Sequence, residues 1–120
     1  MFRTIPFTYL RTMEKTEFLE KHIFNDLENL KEDIGAEGTH YFSEADFAKV
    51  LERTEHFGVG IYKIEPWHDG KSYEAKEHES YRKKATDPRW YKNAFIEFKK
   101  TKLDLKYTAT YRVSNKLLTK

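Results

Sequence analysis

The segment from Leu103 to Val113 constrains the fold most strongly, because apolar and polar residues alternate along it without a break. Successive side chains of an extended strand point to opposite faces, so the pattern predicts a strand with one buried and one solvated face. A sheet that contains such a strand is antiparallel or at least has an exposed edge.

Three other segments have helical periodicity. Over residues 14–33, apolar side chains recur every three or four positions, which predicts an amphipathic helix. A second helix is predicted over residues 44–56, because the Ser43 hydroxyl can cap its first turn. Asp87 followed by proline predicts the start of a third, shorter helix over residues 88–100.

A further strand and a hairpin are predicted between the second and third helices. Residues 58–65 are rich in β-branched and aromatic side chains and are bounded by glycines at one end and by a proline at the other. Asp69-Gly70 tolerates positive φ at both positions and predicts a two-residue turn, with residues 71–76 as the returning strand. Residues 76–85 suit a strand or an exposed helix equally well. The fold class is therefore α+β, with two N-terminal amphipathic helices packed on a small, mainly antiparallel sheet and a short third helix before the last strand.

The chain of 120 residues is long enough for one domain with its own core. Residues 1–12 contain no acidic residue and lack the apolar segment of a secretory signal. We interpret them as a loosely held extension that precedes a single domain spanning residues 13–120. No apolar stretch approaches the roughly 20 residues of a membrane span. We therefore expect a soluble, cytoplasmic protein with no membrane partner.

Charge is divided unequally along the chain. Residues 13–57 contain 12 acidic and 5 basic residues, whereas residues 58–120 contain 8 acidic and 15 basic residues. The basic half makes a nucleic-acid-binding protein one alternative function. That alternative is not favoured, because the basic residues stand mostly singly or in pairs and the acidic half opposes non-specific attraction to phosphates.

Most catalytic motifs are absent from the sequence. It has no cysteine, no glycine-rich phosphate loop and no serine in a nucleophile elbow. Histidines stand four residues from an acid on two predicted helices, but neither pair has a third metal ligand, so we predict no metal and no cofactor. Glu65 and His68, close to the hairpin turn, suggest a small hydrolase with a carboxylate–histidine site as the other alternative.

Aromatic residues are concentrated in the basic half. Both tryptophans and six of the eight tyrosines lie between Phe57 and Tyr111. Several of these rings fall outside the apolar faces of the predicted elements, and tyrosine and tryptophan are enriched at interfaces. We therefore expect a binding domain, more than an enzyme, whose aromatic-basic contact surface takes a protein partner, a second copy of the chain or a small ligand. The predicted surface consists of Glu65, Trp67, His68, Asp69, Tyr73, Tyr81, Arg82, Trp90 and Tyr91.

Overall fold

A computed structural model describes residues 14–30, 40–102 and 104–118. The elements in chain order are α1 (Lys15–Phe18, continued by a π-helical turn at Leu19–Ile23), α2 (Glu44–Phe57), β1 (Gly60–His68), β2 (Lys71–Ser72), β3 (Lys76–Glu77), a 3-10 turn (His78–Tyr81), α3 (Pro88–Thr101), β4 (Lys106–Arg112) and α4 (Asn115–Leu118). The predicted α+β class is confirmed. The extension predicted at residues 1–12 lies outside the described residues.

The sheet is antiparallel, and each of its other strands pairs with β1. Strand β4 lies along one side of β1, and the short strands β2 and β3 share the other side. The turn between β1 and β2 has φ of 52° at Asp69 and 78° at Gly70, as expected for the predicted hairpin turn. The returning strand predicted over residues 71–76 is present as two short pieces, β2 and β3.

Strand β1 contains a one-residue bulge at Tyr62. Ile61 lies opposite Tyr111 on β4, whereas Lys63 lies opposite Thr110, so Tyr62 has no partner residue on β4. An extra residue reverses the alternation of side chains along a strand. As a result Ile61 and Ile64, three positions apart, are both fully buried.

Strand β1 also continues through Pro66, where the sequence predicted its end. On the outer side of β4, Tyr107 exchanges both of its backbone hydrogen bonds with Phe42, at 2.8 Å each. Pro66, opposite Tyr107, therefore makes its backbone contact on the other side of β1, where its carbonyl accepts from the Tyr73 N–H at 2.8 Å. The N–H that a proline lacks would also lie on this side of β1. The partner strand on this side is interrupted between β2 and β3.

Helices α2 and α3 occupy the predicted positions. The Ser43 hydroxyl accepts from the Asp46 N–H at 3.2 Å, and α2 ends at Gly58 with φ of 75°. The Asp87 carboxylate caps α3 by accepting from the Arg89 N–H at 2.9 Å. Hydrogen bonds from the Arg89 side chain hold the pKa of Asp87 at about 2. Side-chain capping thus sets the start of both helices, as the sequence indicated.

The core is built mainly from aromatic rings on one face of the sheet. Tyr107 of β4 stacks on Phe47 of α2, with ring centroids 5.1 Å apart, and meets Phe95 of α3 edge-on at 5.2 Å. Trp90 is fully buried, and its indole N–H donates to the Ile61 carbonyl at 3.1 Å. This bond joins α3 to β1 at the position next to the bulge.

The helix predicted over residues 14–33 is wrong for residues 24–30, and residues 31–33 lie outside the described residues. Asp26 has φ of 70°, which lies outside the helical region. The Leu30 N–H donates to the Tyr41 carbonyl at 2.8 Å, a contact distant in sequence. Tertiary pairing therefore replaces the helical bonds that the periodicity suggested.

We expect Trp90→Phe to reduce the free energy of unfolding by about 1–3 kcal/mol, since it leaves a cavity and removes the donor to the buried Ile61 carbonyl. Urea denaturation measures this change. The matched control is Trp67→Phe, because Trp67 is only half buried and its indole N–H has no hydrogen-bond partner among the described residues. A loss for Trp90→Phe no larger than that for Trp67→Phe would contradict the assignment of Trp90 as the anchor of α3.

Two buried tyrosines are expected to make stability fall at alkaline pH. The hydroxyls of Tyr107 and Tyr111 have no hydrogen-bond partner within the described part of the chain, and burial raises the pKa of both groups. In the unfolded chain a tyrosine hydroxyl loses its proton near pH 10, whereas the buried hydroxyl of the folded chain keeps its proton. The stability that the protonated hydroxyl contributes is therefore complete below about pH 10 and is lost as the pH rises through the folded pKa.

Tyr111→Phe is therefore expected to leave the free energy of unfolding at neutral pH unchanged or higher, because it removes an unpaired hydroxyl and keeps the ring. It should also reduce the loss of stability above about pH 10. Urea denaturation at several pH values measures both effects, with the exposed Tyr62 changed to Phe as the control. Clear destabilisation at neutral pH would show instead that the Tyr111 hydroxyl makes a favourable contact.

Candidate functional site

The predicted carboxylate–histidine pair is not formed, because β1 separates its two members. Glu65 lies on the face of β1 that carries Trp67, and its charge adds to the effect of burial in raising the pKa of Tyr41. Trp67 meets the same tyrosine edge-on at 5.6 Å. His68 lies on the opposite face, as expected for a residue three positions from Glu65, and its ring is 6.3 Å from that of Tyr73.

The other residues of the predicted surface also lie in different parts of the structure. His68 Nε2 lies 3.2 Å from the carboxylate of Asp69 at the exposed hairpin tip. Trp90 and Tyr91 are both 0% exposed and belong to the core instead of the surface that the sequence predicted. The structure differs from the prediction because the buried stripe of α3 is wide enough to include two consecutive residues at its start.

Tyr81 and Arg82 lie at the end of the 3-10 turn and have different environments. Arg82 is exposed, with φ of 57°. Tyr81 is half buried, and its hydroxyl donates to the Glu97 carboxylate on α3. That hydrogen bond and the ammonium of Lys76, 3.5 Å from the same carboxylate, lower the pKa of Glu97. The Tyr81 hydroxyl is therefore bonded to the Lys76–Glu97 ion pair and is not free to contact a partner.

A groove of about 410 Å³ lies between the hairpin and the C-terminal end of α3. Three apolar residues, Pro66, Phe98 and Leu105, form its floor, and the Tyr73 ring lies at its side. Tyr73 is 44% exposed, so this wall is open to solvent. The polar residues that line it are Glu74, Lys76, Thr101 and Lys102. We call this region the hairpin groove.

The charged side chains around the hairpin groove have different partners. The Lys76 ammonium lies 3.5 Å from Glu97 and 5.5 Å from the centroid of the Phe98 ring, so it is held over the floor by an ion pair and a cation–π contact. Lys102 and Glu74 form no ion pair with any other described residue. The lining thus carries two lysines and one glutamate, and the charge of Lys76 is compensated by Glu97.

Of the residues predicted from the sequence, only Tyr73 lines the hairpin groove. Phe98 of α3 and Leu105, which precedes β4, are almost fully buried, so only a small part of each side chain reaches the groove. The sequence predicts a strand boundary at Pro66, whereas the structure continues β1 through it. A proline inside a β-rich segment, followed by an aromatic residue on the returning strand, was the available signal that the ladder opens there.

The comparisons with known proteins add no assignment. No family model, no curated protein and no solved structure matches the chain. Within residues 14–30, 40–102 and 104–118, no three histidine or acidic side chains come together as a metal site. No helix in the same ranges is long and apolar enough to cross a membrane. The functional conclusion therefore depends on local geometry and charge.

Proposed function

We propose that the chain is a small binding domain whose hairpin groove takes an organic acid with a flat apolar body. The observation that supports this function is the coincidence of an apolar floor, an exposed aromatic wall and a lysine with no described carboxylate partner around one concave surface. The proposal keeps the aromatic-basic character expected from the sequence and restricts it to the residues that line this groove.

The size of the groove favours a small molecule. Its volume of about 410 Å³ lies in the range of small-ligand sites, which are concave and mostly apolar with a few polar groups. The hydrophobic effect drives a flat ring onto Phe98 and Leu105, and Tyr73 adds an edge or stacking contact.

The charges favour an acidic ligand. Lys76 is already paired with Glu97, whereas Lys102 makes no such pair with a described residue and can provide a counter-charge at the rim. A carboxylate that reaches Lys102 gains a charge-assisted hydrogen bond, and the Lys76 ammonium adds a longer-range attraction. Glu74, which lines the same groove, opposes a second negative charge, so one acidic group is the best match.

The test uses 2-naphthoate and its neutral analogue 2-naphthamide as probes, with affinity measured by isothermal titration calorimetry. Tyr73→Ala is expected to weaken both probes about fivefold, because an aromatic contact contributes roughly 1 kcal/mol. Lys102→Gln is expected to weaken only the naphthoate, by a similar factor, since the amide carries no charge.

Each variant has a matched control outside the groove. Ile96→Ala removes an apolar residue of similar exposure, 46%, from α3, and Lys71→Gln removes an exposed lysine from β2. Neither control should change the affinity for either probe. Absence of saturable binding, or equal losses in the controls, would contradict the proposal. A dimer in analytical ultracentrifugation that Tyr73→Ala abolishes, with no naphthoate binding, would assign the groove to a second copy of the chain and contradict it too.

A further inference from the structure

A second cavity, of about 350 Å³, lies near the opposite end of β1 from the hairpin groove. We call it the basic cavity. Its lining residues are Tyr62, His78, Lys84, Ala85, Thr86 and Arg112. None of them is acidic, whereas two are permanently cationic at neutral pH and two carry a hydroxyl. Such a lining is complementary to an anion.

The backbone around the basic cavity is held against the start of β1. The Ile61 N–H donates to the Ala85 carbonyl at 2.9 Å. A Cβ placed on Gly60 would lie 3.1 Å from the Thr86 methyl group and 3.2 Å from Ala85, so strand and loop already pack as closely as glycine permits. The loop that presents Lys84 and Thr86 is therefore fixed relative to the sheet.

The sheet contributes two side chains to the basic cavity, Tyr62 from the bulge in β1 and Arg112 from β4. Arg112 lies opposite Gly60 on β4. The bulge at Tyr62 redirects this residue out of the core, and its side chain is 40% exposed. Bulges commonly re-aim a side chain next to functional sites. The basic cavity thus depends on the same irregularity that keeps Ile61 and Ile64 on one face.

The two cations of the basic cavity are available to a ligand. Neither Lys84 nor Arg112 forms an ion pair with a described carboxylate. An adjoining depression, which shares Tyr62 and His78 with the basic cavity, is lined by two acidic residues, Glu77 and Glu79. An anion is therefore favoured on the side of Lys84 and Arg112 and disfavoured beyond His78.

His78 has a defined hydrogen-bonding arrangement. Its Nδ1 lies 2.7 Å from the Lys83 carbonyl, and because a carbonyl only accepts, Nδ1 carries a proton and donates it. In the neutral ring Nε2 is then an acceptor, so His78 adds no donor for a phosphate oxygen. The rings of Tyr62 and Trp90, with centroids 6.0 and 6.4 Å away, flank the imidazole.

We propose that the basic cavity binds a phosphate group. The Arg112 guanidinium can bind two phosphate oxygens through paired N–H donors, and the Lys84 ammonium provides a second charge. The hydroxyls of Tyr62 and Thr86 supply further donors. The phosphate is either free or the terminal group of a phosphomonoester, and the exposed Tyr62 ring provides a surface for an aromatic part of such an ester. This site is separate from the hairpin groove and does not require the proposed organic acid.

Calorimetric titration at low ionic strength with inorganic phosphate and with phenyl phosphate tests the proposal. The double variant Lys84→Gln, Arg112→Gln is expected to weaken both ligands by about tenfold or more, since charge-assisted hydrogen bonds to two cations are lost. The control double variant Lys49→Gln, Lys116→Gln removes the same net charge from exposed positions outside the cavity and should leave both affinities within about twofold. All four substituted residues are exposed, and circular dichroism verifies folding.

Tyr62→Ala separates the two sources of phosphate. Relative to Tyr62→Phe, which removes only the hydroxyl, a further loss of phenyl phosphate binding with no further loss of inorganic phosphate binding supports a phosphomonoester ligand, whereas no further loss for either ligand supports free phosphate. Absence of saturable phosphate binding to the unmodified chain overturns the proposal. Equal losses in the two double variants also overturn it, because they would show that net charge and not the cavity attracts the anion. Binding of 2-naphthoate should be unaffected by either double variant.

Discussion

Strand β1 is the element on which the rest of the structure depends, because every other described strand pairs with it and α3 is bonded to it. Ile61 lies beyond the end of β3. On the side of β1 away from β4, no described strand pairs with the N–H and carbonyl of Ile61. The Ala85 carbonyl accepts from the Ile61 N–H, and the Trp90 indole donates to the Ile61 carbonyl. Loop and helix thus replace a strand, in keeping with the high cost of leaving buried backbone groups unpaired.

Two irregularities of β1 generate the two cavities. The bulge at Tyr62 directs that residue to solvent beside Arg112 and the Lys84–Thr86 loop, which creates the basic cavity. At the other end, Pro66 lacks a backbone donor on the side of the returning strand. The ladder is interrupted there, and the side chains of Tyr73 and Lys76 frame a groove over the exposed end of the core. Both proposed binding sites therefore follow from local departures from regular pairing.

Much of the fold could be predicted from residues whose roles are local. Ser43 and Asp87 mark helix starts through their own side chains, Asp69-Gly70 specifies its turn, and the alternation around Tyr107 identifies β4. The first helix could not be predicted correctly, since its apolar periodicity continues past Ile23 while Leu30 bonds to a residue distant in sequence.

The candidate site was less predictable, for a related reason. A count of aromatic residues cannot distinguish a ring that fills the core from a ring that faces solvent. Trp90 fills the core because its N–H finds the Ile61 carbonyl, whereas Tyr73 remains exposed beside the gap at Pro66. Both outcomes depend on the pairing register of β1. That register shifts by one residue at Tyr62, and no local pattern in the sequence marks the shift.

The register of β1 against β4 therefore underlies both proposed sites, and cross-strand nuclear Overhauser effects measure it. We expect contacts that pair Lys63 with Thr110 and Ile64 with Ala109, next to an Ile61–Tyr111 pair. Contacts that pair Tyr62 with Tyr111 and Ile61 with Arg112, in continuation of the Ile64–Ala109 register, would mean an unbroken ladder with Tyr62 turned toward the core. Such a ladder would remove the bulge and, with it, the physical basis of the basic cavity and of the division of β1 into two faces.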